Sequence, residues 1–309
     1  MNRREFVAAA AALALAPRAL AVSGAVALVT ADLESRLVVL DLESGRVRRH
    51  IDTLPFPRSV EKVGAAAVVA HSDIGAVSLV RGLEVAHVLR GLAEPRYTAA
   101  HPDGRHAYVT DAKRGELVAI DAVAGRVLAR VAVGALARHL SIDPSGRTVW
   151  VALGTKAREI AVVDVSRPAR PRLAERFEPP FLAHDIGFAP DGRHVWVSSG
   201  DRFELAVYDA RSGRVVARPS GDWPPQHVTF AGDRAYVTSG WSGTLRVHRV
   251  GGQPLVANAV PVGSYNVQHG GGFVVTPSLG HGTLTIVDEQ GRVLRGERIA
   301  RSSHDACIL

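Results

Sequence analysis

The 309-residue sequence has little sulfur and almost no lysine: one cysteine (Cys307), one methionine (Met1) and three lysines, Lys62, Lys113 and Lys156. A single cysteine excludes an internal disulfide framework and any cysteine-cluster zinc or iron–sulfur site. Aromatic residues are scarce at 6%, while glycine is abundant at 30 residues, a balance that points to many tight turns. No phosphate-binding glycine loop, His-Glu-x-x-His helix, Gly-x-Ser-x-Gly elbow or haem-attachment cysteine pair occurs. No stretch is apolar over the roughly 20 residues that a membrane helix needs. What is present is ordinary for a soluble globular chain able to bury a sizeable core: 47% hydrophobic and 22% charged residues. The formal net charge of +7 rests on arginine. A GC-rich genome produces the same arginine bias, so charge alone argues weakly for an anionic partner.

Residues 1–21 read as an address. A basic start is followed by a short apolar run over Val7–Ala16 and by Ala19-Leu20-Ala21, a small-x-small cleavage signature. Arg3-Arg4 before Glu5-Phe6 resembles a twin-arginine export signal, although Asn2 stands where Ser or Thr is usual. A general secretory signal whose start contains Arg-Arg is the alternative. Either address predicts a mature domain over 22–309, periplasmic or extracellular, with a formal charge of +5.

Self-comparison exposes a repeat. A short apolar strand with a small end recurs at Ala27–Thr30, Ala67–Ala70, Ala107–Thr110, Val149–Ala152, Val195–Ser198, Ala235–Thr238 and Phe273–Thr276. Its marker valines are Val29, Val69, Val109, Val151, Val197, Val237 and Val275, spaced by 40, 40, 42, 46, 40 and 38 residues. A second strand ending in aspartate follows in most units, as in Leu37–Asp41, Leu117–Asp121, Ile160–Asp164, Leu205–Asp209 and Leu284–Asp288. A glycine turn and a third strand opening Arg-Val come next, at Arg46-Val47, Arg126-Val127, Arg214-Val215 and Arg292-Val293. A further strand precedes the marker through turns such as Pro102-Asp103-Gly104, Pro144-Ser145-Gly146 and Pro190-Asp191-Gly192. Seven units of four short antiparallel strands, without helical periodicity, predict an all-β fold, a seven-bladed β-propeller.

Ala107-Tyr108-Val109-Thr110 and Ala235-Tyr236-Val237-Thr238, with Pro-Asp-Gly turns upstream and Val-Ile-Asp-like strands downstream, resemble the YVTN-repeat family of β-propellers over roughly residues 25–309. The resemblance implies the fold. It leaves function open, because such propellers, the lactonase-like ones included, host binding proteins and enzymes alike.

The first unit lacks its leading strand, and His304–Leu309 looks like His184–Phe188, which opens the fifth unit's innermost strand. The C-terminal segment is therefore expected to complete blade one and close the ring. Cys307 then lies in an innermost strand, as a small buried hydrophobe.

Residues just before each innermost strand should meet at one mouth of the central channel. Alignment gives a first ring of Arg58, Arg96, Arg138, His184, Gln226, Ser264 and His304. The second ring is Ser59, Tyr97, His139, Asp185, His227, Tyr265 and Asp305. Strand alternation sends one ring toward the channel and the other between blades, and the sequence does not say which. A wet channel mouth is itself enough to explain a polar rim. Two sharper readings stand beside it. His139, His184, His227 and His304, with Asp185 and Asp305 as ligands or supports, suit a divalent metal. Arg58, Arg96 and Arg138, with Tyr97, Gln226 and Tyr265, suit an anionic ligand. The outer loops of the same face add His71-Ser72-Asp73, Asp111–Arg114, Asp201-Arg202, Trp241 and His281, while His101, His106, His194 and His269 read as surface histidines near the opposite turns.

The leading functional expectation is an exported binding or scaffold propeller whose partner is an anionic small molecule, a glycan or a protein. The alternative is a metal-dependent enzyme at the mouth, a lactonase-type hydrolase or an oxidoreductase. Single-stranded nucleic acid, stacked on Tyr97, Tyr265, Trp223 and Trp241, is disfavoured by export. The protein is expected to act as a monomer.

Overall fold

The computed structural model describes residues 24–309; the expected export signal lies outside the described residues. Seven four-stranded antiparallel sheets form the blades of a closed propeller. Among the described residues there is no α-helix, only single 3-10 turns at Asp32–Glu34 and Ser72–Ile74, and no helix long and apolar enough to cross a membrane. The innermost strands, in blade order, are Ala306–Ile308, Ser59–Val63, Pro95–Ala100, Ala137–Ile142, Ala183–Phe188, Val228–Ala231 and Gln268–Gly270.

The ring closes as the sequence predicts. Ala306–Ile308 pairs with Val26–Ala31 through Val29↔Ala306, Leu28↔Cys307 and Ala27↔Ile308. The amide of Leu309 adds a bond to the Val26 carbonyl at 2.8 Å. Cys307 is buried in that strand.

Marker strands run apolar rather than alternating because each is covered on both faces. In blade one, Ala27 and Val29 pack with Val275, Leu284 and Ile286 of blade seven. Val26 and Leu28 pack with Val60, Ala67 and Val69 of blade two. The outermost strands are mostly exposed and carry charge, as at Arg48-Arg49 and Arg295–Arg298, which discourages edge-to-edge pairing.

The small polar residue that ends most marker strands has a structural task. Thr110 Oγ1 donates to the Arg138 carbonyl of the next blade at 2.7 Å and accepts the Tyr97 amide of its own at 3.2 Å. Thr238 and Ser198 make the corresponding bonds to the carbonyls of Tyr265 and Gln226. Thr30 Oγ1 accepts the amides of His304 and Asp305 at 3.2 and 3.0 Å. Where blade two has Ala70, Ser59 Oγ supplies the link, donating to Arg96 O at 2.7 Å. A belt of buried hydroxyls thus fixes the start of the innermost strands, which is where the candidate site lies.

Candidate functional site at the channel mouth

The second ring faces the channel. A cavity of about 260 Å³ is lined at its rim by Ser59, Tyr97, His139, Asp185, His227 and Asp305, and deeper by residues two positions on, including Glu61, Ala99, Ser141, Gly187 and Thr229. That two-residue step is the alternation of an extended strand. Gly187 is required here: a Cβ would lie 2.6 Å from Val228 Cγ1.

Four first-ring residues line two further recesses. One, of about 230 Å³, contains Arg58 and Arg96 with Asp32 and Phe56. The other, of about 440 Å³, contains His184 and Gln226 with Lys156, Trp223 and Trp241.

In blade seven the ring member is not Tyr265 but Asn266. Thr276 Oγ1 bonds the Asn266 backbone, donating to its carbonyl at 2.6 Å, much as Thr110 Oγ1 bonds that of Tyr97, accepting its amide at 3.2 Å. Asn266 lines the channel and its amide donates to the His304 carbonyl at 2.7 Å. Tyr265 instead packs against Trp241, ring centroids 6.0 Å apart, over Gly240, where any Cβ would collide with its ring. Ser264, aligned with the first ring, bridges to Ser278 between strands. Among the outer-loop candidates, His71 is a buried histidine with both nitrogens used, at Pro55 O (3.0 Å) and Ser78 Oγ (2.9 Å).

His139, His184 and His227 come together from three successive blades, with one nitrogen of each within 4.8 Å of the others. His184 Nδ1 lies 3.1 Å from the Thr155 carbonyl and so carries the proton, leaving Nε2 free. His227 Nδ1 is 3.3 Å from Asp185 Oδ2. Asp185 also accepts the Val228 amide at 3.2 Å, so it supports His227 from behind. His139 is 1% exposed, yet neither of its nitrogens has a partner among the described residues. Its ring stands 4.4 Å from those of His184 and Tyr97.

His304 stays apart from this trio. Its Nδ1 is 2.8 Å from the Arg58 carbonyl, and Asp305 accepts the amides of Val60 (3.0 Å) and Ala306 (2.9 Å). Burial holds His139 and His304 neutral, driving both well below the usual imidazole value. Burial with neighbouring His227 brings His184 down to about 3. The same enclosure raises carboxyls: Asp305 to about 7, Asp32 to about 6 against the pull of Arg58, and Glu61 to about 8 with Asp305 adding to the effect.

Arg58, Arg96 and Arg138 sit near one another at the mouth. Arg58 is 3.7 Å from Asp32 and Arg96 3.3 Å from Glu94, while Arg138 lies over the Tyr97 ring at 6.0 Å. In all three, Nε is buried without a partner among the described residues.

No protein-family model matches the chain, and no curated protein matches it. Solved structures share its fold. A functionally unknown protein from Desulfotomaculum acetoxidans aligns at TM-score 0.79 and 12% identity, covering 93% of this chain and 99% of that one. The hydrazine synthase of Kuenenia stuttgartiensis aligns at 0.67 and 16% identity, over 81% of this chain and 89% of that one. The dihydro-heme d1 dehydrogenase NirN, in complex with DHE, aligns at 0.64 and 18% identity, over 89% of this chain and 64% of its own. At these identities the likeness is one of architecture.

Proposed function

We propose that the protein is an exported binding propeller that takes a small anionic ligand at the mouth of its channel. One observation carries this reading: three guanidinium groups from three successive blades crowd one side of the rim with their buried Nε groups unpaired. Buried donors without acceptors are costly, and an oxyanion or carboxylate would satisfy them through paired N–H bonds. Asp32 and Glu94 are the carboxylates beside Arg58 and Arg96, and the recess between those arginines has room for a small group.

The test is calorimetric titration of metal-free protein with inorganic phosphate and small dicarboxylates at low ionic strength. Saturable binding that weakens with salt and falls at least about tenfold in Arg96→Ala, the loss of one charge-assisted contact, supports the reading. Absence of binding in the wild type overturns it.

A second reading, a metal-dependent hydrolase or oxidoreductase, is favoured by the histidine trio, whose donors could hold a metal.

A further inference from the structure

We infer that His139, His184 and His227 form a mononuclear site for a borderline transition metal of the zinc or copper class. The inference stands apart from the anion reading, since it uses different side chains and can fail without it. Imidazole nitrogens around a tetrahedral ion at 2.0–2.1 Å are separated by about 3.4 Å. The nitrogens of this trio already lie within 4.8 Å, so modest side-chain rotations close the set.

Hydrogen bonding gives the second argument. A metal-ligating histidine commonly donates its other N–H to a carbonyl or carboxylate, which fixes the ring and the tautomer. His184 does so to Thr155 O and His227 toward Asp185. His139 supplies the third, independent observation. A buried imidazole with neither nitrogen bonded leaves a desolvation cost unmet, and a metal ion would meet it.

The donor set selects the ion. Three neutral imidazoles suit zinc, copper or nickel, whereas calcium and magnesium demand oxygen. Three protein ligands leave a fourth position for water or another ligand. The Arg138 guanidinium lies over the Tyr97 ring, which stands 4.4 Å from that of His139, so a bound cation would add to positive charge already at the mouth and favour an anion as that fourth ligand.

A second group, His101, Asp103 and His106 at the opposite end of the inner strands, also meets the distance condition and provides the control. The experiment is titration of chelator-stripped full-length protein with Co(II) and Zn(II), followed by Co(II) ligand-field absorption and by metal analysis after dialysis. The expected result is one bound metal per chain with a tetrahedral Co(II) spectrum. Affinity should fall at least about 100-fold in His184→Ala and about tenfold or more in Asp185→Asn, and stay unchanged in His106→Ala. His184 is only half-buried, and an unchanged melting curve for its variant establishes that the fold is intact; His184→Cys should restore Co(II) binding with a thiolate charge-transfer band. No stoichiometric metal, or metal lost in His106→Ala and kept in His184→Ala, overturns the inference. Anion binding by the same metal-free protein would persist in either case if the arginine reading holds.

Discussion

The two ends of the propeller channel each gather three metal-competent side chains, and they are built on opposite principles. At the turn end, Asp103 accepts the amides of Arg105 and His106 at 2.8 and 2.9 Å and the His106 ring at 2.6 Å. His101 Nε2 is 3.1 Å from Gly146 O, and its Nδ1 accepts the Asp103 amide at 3.2 Å. The arrangement recurs in blade five, where Asp191 holds His194 at 2.6 Å. Such a group is a turn device, with most donors and acceptors engaged inside the hairpin. At the mouth, by contrast, His139 has no partner and three arginine Nε groups have none. Both groups bring their donor atoms within 4.8 Å of one another; what separates them is whether the hydrogen bonds are already made.

The difference should appear first in stability. Removing the Asp103 carboxylate strands two backbone amides and a histidine ring in a tight turn. Asp103→Ala should cost about 2 kcal/mol, as lost charge-assisted bonds do, lowering Tm by several degrees in a thermal melt. Hydrogen bonds from His106 and Arg105 hold the Asp103 carboxyl well below the usual carboxylate range despite partial burial. Its stabilisation is therefore present above the unfolded pKa near 4 and is lost on acidification toward the folded value. A variant as stable as wild type at neutral pH would break the contrast between the two ends.

Much of this was legible in the sequence, and the failures share a cause. Blade number, the closing strand and the gathering of rim residues follow from repeat phase, because each marker valine counts back to its own innermost strand. Orientation was not legible, since a junction residue is only partly extended and alternation cannot be anchored there. Blade seven slipped by one because its inner hairpin is shorter: Asn266 precedes Val275 by nine residues, whereas His227 precedes Val237 by ten. The glycines at 270–272 were a visible signal of that shortening. His71 was misplaced to an outer loop because its Ser78 partner lies across a hairpin, a contact that spacing does not reveal.

The next effect is smaller and has the opposite sign in pH. Glu61 faces the channel near Asp305, with Cys307 and Lys62 around it. Burial, with Asp305 adding, raises its pKa to about 8. A carboxyl raised in the folded state contributes fully below its unfolded value near 4.5, and that contribution is lost as pH rises to about 8. Glu61→Gln, which cannot ionise, should match wild type in Tm at pH 5 and exceed it at pH 8.5. Equal melting at both pH values would show that the channel carboxyls are better solvated than their enclosure implies.

The smallest effect expected is on folding at the mouth itself. His184 offers one bond, from Nδ1 to Thr155 O, and that carbonyl can turn to water because the recess containing His184 and Thr155 opens outward. The blade-five core is made by Ile186, Phe188, Val195 and Val197, whereas the His184 ring stands against the rings of His139 and His227 at the mouth. His184→Ala should therefore change stability by no more than about 0.5 kcal/mol, the range of surface substitutions, in metal-free protein. A loss comparable with that of Asp103→Ala would mean that the histidine trio is a second structural device. A negligible loss keeps the division between a turn end that holds the fold and a mouth whose open bonds await a ligand.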